Sequence, residues 1–158
     1  MKRSLLLLPV FICLAACGPS PAPTTQTPSP TPAGPHRVGQ AVTVPGWQIT
    51  IVSAKTASTI GLIAPAQHTD TFLIVQVTLR NTSRVEATAA SISFYCLGVD
   101  GTKYALVATD APSIDGQIAA GQAASGQLTY EVPASAKQFT LQYRSDVGAV
   151  LAAWQLPA

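Results

Sequence analysis

The sequence predicts an all-β domain, an antiparallel β-sandwich of seven to eight short strands over residues 36–158, and three observations predict it. The first is a period of two. In TFLIVQVTLRNTS, residues 71–83, the side chains Leu73, Val75, Val77 and Leu79 alternate with Ile74, Gln76, Thr78 and Arg80, which places the two sets on opposite faces of a strand. The second is the regular recurrence of turn formers: Pro45-Gly46, Asn81-Thr82-Ser83, Asp100-Gly101, Asp115-Gly116, Gly121 and Pro133 close successive apolar runs. The third is the lack of a convincing apolar period of 3.6, so no helix is expected to complete a mixed fold.

Ahead of that domain the chain reads as two further segments. Lys2 and Arg3 precede an apolar run from Leu5 to Ile12, and the small residues Ala15 and Ala16 stand directly before Cys17. This is the layout of a secretory signal peptide over residues 1–16. The run falls far short of the ~20 residues a membrane-spanning helix needs, and Pro9 interrupts it. The order Leu14, Ala15, Ala16, Cys17 resembles the bacterial lipobox, a resemblance covering residues 1–18. It implies that the Cys17 sulfur carries a diacylglyceryl group, that the chain is cut before it, and that the new amino terminus is fatty-acylated. Each buried methylene contributes about 0.8 kcal/mol, and two or more chains together hold a protein to a membrane where one does not. Cys17 is thus the expected lipidation site, a membrane the expected partner, and the location extracytoplasmic. Gly18 rather than Asp after the cysteine resembles lipoproteins passed to the outer membrane where a cell has two.

Residues 18–35, GPSPAPTTQTPSPTPAGP, hold seven of the thirteen prolines and no charge. Such a composition packs no core and favours extended polyproline conformations. At ~3.1 Å per residue it is expected to form a disordered stalk reaching up to ~50 Å. The domain organisation is therefore a signal peptide over 1–16, a lipidated cysteine and linker over 17–35, and a sandwich over 36–158. Removing the signal peptide takes Lys2 and Arg3 with it and leaves seven basic against seven acidic residues. With no basic cluster, no nucleic-acid partner is expected. Cys17 as a thioether leaves Cys96 as the only thiol, so no disulfide framework can form.

Within the domain, alternation recurs at Trp47, Ile49, Ile51; at Ile92, Phe94, Cys96; at Leu128, Tyr130, Val132; and at Phe139, Leu141, Tyr143. The stretches VGQAVTV, FLIVQVTLRNTS, FYCLGVDGTKY, IAAGQAASGQLTYEVP and FTLQY, in this order over residues 38–143, resemble the telokin-like, immunoglobulin-fold domains of unknown function found on bacterial lipoproteins and secreted proteins. The resemblance implies an immunoglobulin-like sandwich and an extracytoplasmic setting, and little about activity. One departure is Cys96 and Gly98, where the family often has an aliphatic and then an acidic residue. Any polar contact of that acidic residue is expected to be absent.

The mature chain offers few groups of known chemistry. His36, His68 and Cys96 are its only imidazoles and thiol and share no ligand-type spacing, so no metal and no cofactor is expected. There is no Gly-x-Ser-x-Gly elbow and no Ser-x-x-Lys. Cys96 with His68 makes a nucleophile pair only if folding joins them; a buried small apolar cysteine is the simpler reading. Asp100 and Asp115 precede glycines and read as turn formers. Asn81-Thr82-Ser83 has the form of a glycosylation acceptor but reads as a strand-end turn. Trp47 and Trp154 are either core or a sugar platform, with core the commoner fate. The remaining feature is KTASTIGLIAPAQHTD, residues 55–70, far longer than a hairpin loop of 2 to 5 residues. Its apolar centre, Ile60, Leu62 and Ile63, is either a flap closing the core or a contact surface for a partner. The expected function is a non-enzymatic binding, adhesion or envelope-assembly module, its partner an envelope or surface protein; an inhibitor of an extracytoplasmic enzyme, or an envelope hydrolase, are the alternatives.

Overall fold

The computed structural model describes residues 34–157; the expected signal peptide, Cys17 and the proline-rich stretch up to residue 33 lie outside the described residues. Eleven strands follow in chain order: β1 (His36–Arg37), β2 (Ala41–Val44), β3 (Trp47–Ala57), β4 (Asp70–Asn81), β5 (Ala87–Ala89), β6 (Phe94–Gly98), β7 (Lys103–Tyr104), β8 (Gly116–Ile118), β9 (Ala123–Pro133), β10 (Gln138–Arg144) and β11 (Val150–Pro157). Seven of them, β2, β3, β4, β6, β9, β10 and β11, have four residues or more. They form a β-sandwich: a four-stranded sheet in the order β2-β3-β4-β9 and a five-stranded sheet in the order β1-β11-β10-β6-β7, with β5 and β8 as a separate ribbon. Every pairing is antiparallel except β1 with β11, which is parallel.

The period of two in the sequence becomes the core. Ile49 and Ile51 of β3, Leu73 to Leu79 of β4 at alternate positions, and Leu128, Tyr130 and Val132 of β9 face Phe94 and Cys96 of β6, Leu141 of β10 and Trp154 of β11 in one buried cluster. Each such side chain contributes about 1.5–3 kcal/mol by leaving water. Trp47 and Trp154 both belong to that cluster. The Tyr130 hydroxyl donates to the Phe94 carbonyl at 3.3 Å, a hydrogen bond that crosses from one sheet to the other.

Three particulars differ from the alternation pattern. Ile92 is 75% exposed and sits on the 3-10 turn Ser91–Ser93; strand geometry begins only at Phe94, so the inward side of β6 starts there and not at Ile92. Phe72 and Ile74 are buried although they lie on the opposite face of β4 from Leu73 and Val75; the 58–69 connection reaches that face beside Phe72, where the Ala66 amide donates to Glu131. The long edge of β9 is covered rather than open. Leu106 bridges to Tyr130, the Val107 amide donates to the Thr129 carbonyl at 2.8 Å, and the Gln127 amide donates to the Pro112 carbonyl at 2.8 Å. Gly126 makes this approach possible, since a Cβ there would stand 2.6 Å from the Ile114 amide nitrogen. Such cover prevents edge-to-edge pairing of two molecules.

Candidate functional site

The strand registers gather three connections at one end of the sandwich. Asp70 pairs with Pro133 and Phe139 with Gly98, so the β3–β4 connection (58–69), the β6–β7 turn (99–102) and the β9–β10 turn (134–137) share that end. The first of these is not a loose loop. The Thr71 hydroxyl donates to the Ala57 carbonyl at 2.8 Å, the Ala66 amide to Glu131 Oε1 at 2.6 Å, and the Ala134 amide to the Thr69 carbonyl at 3.0 Å. Glu131 pairs with Phe72, so the Ala66 contact draws the connection across the outer face of the sheet there.

Beyond these anchors the chain makes a miniature hairpin. Ile60 and Ile63 exchange two backbone hydrogen bonds, both 2.9 Å, around Gly61 and Leu62. Gly61 has φ +57°, the sign a type II′ turn takes at its first central residue and the reason glycine stands there. Leu62 at the tip is fully exposed, Ile63 is 42% exposed and Ile60 is half-buried. The flap reading therefore fails for Leu62 and Ile63: the connection is anchored to the sheet through Ala66, and its apolar tip is exposed among the described residues.

Between the other two connections runs a groove of about 610 Å³, walled by Val99, Asp100, Tyr104, Pro133 and Lys137. Gly98 at its floor carries no side chain because a Cβ would lie 2.7 Å from Asp100 Oδ1 and 2.9 Å from the Tyr104 hydroxyl oxygen. Asp100 accepts from the Thr102 amide at 3.0 Å and from the Thr102 hydroxyl at 2.7 Å, and these two bonds hold its carboxyl below the usual carboxylate range. Burial, with the charge of Asp100, pushes the Tyr104 phenol up. Its ring packs edge-on against Phe139 at 5.8 Å. The single carboxylate of this groove is committed to closing the turn.

The other sequence candidates fall elsewhere. Cys17 lies outside the described residues. Cys96 is wholly buried, and desolvation pushes its thiol up to about 12, whereas His68 is exposed on the 58–69 connection; the two do not form a surface nucleophile pair. His36 packs beside the Trp154 ring, centroids 6.1 Å apart. Among the described residues no three His, Cys, Asp or Glu side chains are grouped as metal ligands. Asp115 accepts from the Ser91 amide and from the Ser91 and Ser113 hydroxyls, so it ties two loops together. Asn81 is buried, its Nδ2 donating to the Val85 and Ile118 carbonyls at 2.8 Å each, a strand-end knot rather than a glycosylation acceptor. The groove was missed in the sequence because its walls come from positions about 35 residues apart that only the sheet register joins.

The family described as a domain of unknown function (DUF4352) matches residues 36–150. No curated protein sequence matches the chain. Among solved structures, the chain is similar to a secreted protein of Mycobacterium tuberculosis, MPT63, at 16% identity and TM-score 0.57, covering 80% of this chain and 99% of that one. An uncharacterised β-sandwich protein of Clostridium difficile gives 14% identity and TM-score 0.54 over 83% of this chain and 99% of its own. A Bacillus subtilis protein described as a candidate lipoprotein gives 16% identity and TM-score 0.59 over 78% of this chain, which spans only 38% of that protein's length. At these identities the likeness shows the fold alone.

Proposed function

The chain belongs to the family of the domain of unknown function DUF4352, and from that premise we propose that it is a lipid-anchored extracytoplasmic binding module without catalytic activity. In this reading residues 1–16 are a signal peptide, Cys17 carries the lipid, residues 18–35 are a stalk, and residues 36–158 are an immunoglobulin-like sandwich that contacts an envelope protein through Ile60, Leu62 and Ile63. The secreted protein and the candidate lipoprotein among similar folds support the location. The observation that carries the binding role is the hairpin tip: a fully exposed leucine on an apolar turn whose base is fixed by backbone and side-chain hydrogen bonds. An apolar tip held rigid loses little freedom on docking, which favours association.

Two experiments test the two parts separately. Cys17→Ala should abolish labelling by a fatty acid and leave an uncleaved precursor; undiminished labelling contradicts the anchor. A photoreactive residue placed at Leu62 should give one dominant adduct in intact envelopes, absent when the same group is placed at Val147, which is also exposed but lies in the β10–β11 turn. Equal adducts at both positions contradict the contact.

A further inference from the structure

The two sheets differ on their solvent sides. On the four-stranded sheet Phe72, Ile74 and Thr129 are buried under covering chain. Among the described residues none covers the five-stranded sheet: Tyr95, Leu97, Thr140, Gln142, Arg144 and Gln155 are all half-exposed there, and Arg37 and Lys103 are exposed. None of its five strands contains Asp or Glu, yet they carry Arg37, Lys103 and Arg144. The described residues hold seven basic and seven acidic side chains, so this is a segregated cationic face.

Its geometry is specific. The registers align Arg37, Gln155, Thr140, Leu97 and Lys103 in one row across all five strands. With strands ~4.8 Å apart, the backbone positions of the two end cations stand roughly 19 Å from each other. Beside this row, Lys103 Nζ lies 4.0 Å from the centroid of the Tyr95 ring and the Arg144 guanidinium carbon 4.7 Å from it. Gln142 Oε1 accepts from Arg144 Nε at 3.1 Å and Nη2 at 2.7 Å and fixes the guanidinium. The ring quadrupole offsets part of the cost of holding two cations near one another. The neighbouring carboxylates sit in turns, Asp100 engaged by Thr102 and Asp146 between β10 and β11.

We propose that this face binds a linear acidic polysaccharide. Carboxylates of the polymer meet Arg37, Lys103 and Arg144, and its hydroxyls meet Thr140, Gln142 and Gln155. Three cations interleaved with amides and a hydroxyl suit a partner that alternates sparse charge with hydroxyl groups. Duplex DNA presents a charge every ~1.7 Å and rewards a denser basic cluster than this face holds. The inference does not depend on the apolar tip, which lies on another element.

The test uses the full chain in detergent, retained on immobilised polygalacturonate and eluted with salt. Retention is expected on polygalacturonate and not on neutral dextran, falling as salt rises because bound counterions are released. The double variant Lys103→Gln, Arg144→Gln is expected to bind about tenfold or more weakly with a flatter salt dependence, as two of three cations are lost. Arg37→Gln, at an exposed position that cannot affect folding through the core, is expected to show a smaller loss of the same kind. Leu62→Asp is expected to bind as the wild type does. Equal retention on dextran, unchanged binding by both cation variants, or stronger competition by duplex DNA or by phosphatidylglycerol micelles than by free polygalacturonate overturns the proposal.

Discussion

Cys96 occupies a fully buried position in β6, and desolvation moves its thiol from the ordinary 9.0 up to about 12. Above pH 9 the unfolded chain loses this proton while the native state keeps it. The native state then binds more protons than the unfolded one, and stability falls as pH rises through the interval from 9 to 12. The slope from this group reaches at most about 1.4 kcal/mol per pH unit. Urea midpoints of wild type and Cys96→Ala, compared at pH 8 and pH 10, should show the wild type losing more between the two. The same burial should keep the thiol unreactive to alkylating reagents until denaturant is added. Asn81 is the second residue whose surroundings fix an expectation. Besides its two donor bonds, its Oδ1 accepts from the Ser83 amide at 2.9 Å and the Ser83 hydroxyl at 2.7 Å. Asn81→Ala takes the side-chain donor from the Ile118 carbonyl and the acceptor from the Ser83 amide, while the Val85 carbonyl keeps the Ser83 hydroxyl, and it should cost about 2 kcal/mol by denaturant titration, since buried groups left unpaired carry their full desolvation penalty.

At the scale of elements, the 105–115 segment stands out because it seals β9. Its close approach leaves no room at Gly126, where an added Cβ meets Ile114 and the Ser113 carbonyl carbon within 2.7 Å. These are mostly backbone atoms of a hydrogen-bonded segment. Gly126→Val should lower the thermal midpoint by several degrees and raise aggregation on light scattering, as the uncovered edge becomes available for pairing. The long elements were legible in the sequence: β3, β4, β9 and β10 each repeat an apolar residue at every second position long enough to be read. The short ladders, β1, β5, β7 and β8, were not, because two or three residues carry no period. β11 was hidden for another reason. Its inward residues Ala152, Trp154 and Leu156 alternate with Leu151, Ala153 and Gln155, and apolar or small side chains on both faces erase the contrast. The exposed state of Leu62 was undecided in the sequence for the same kind of cause, since an apolar triplet in a loop is compatible with burial or contact until the backbone shows which limb is anchored.

For the whole molecule, a sandwich with a fixed apolar tip at one end and a cationic sheet face along its side presents two surfaces of opposite character. The tip lies on the connection between β3 and β4 and the cationic face on the outer side of the five-stranded sheet, so each can be altered without touching the other. The tether is expected to be separable in the same way. Deleting residues 19–33 spares β1 and every core residue among those described and should leave the thermal midpoint unchanged, while on the proposed anchoring it shortens the reach from the membrane. The central claim is that residues 60–63 serve contact and not folding. It is tested most directly by Leu62→Asp with Ile63→Asp in the full chain, comparing urea denaturation and retention of the partner captured at position 62. The account expects stability within about 0.5 kcal/mol of the wild type, the usual range for exposed substitutions, together with loss of the partner. A loss of several kcal/mol, as for charge forced into a core, or full retention of the partner would contradict it.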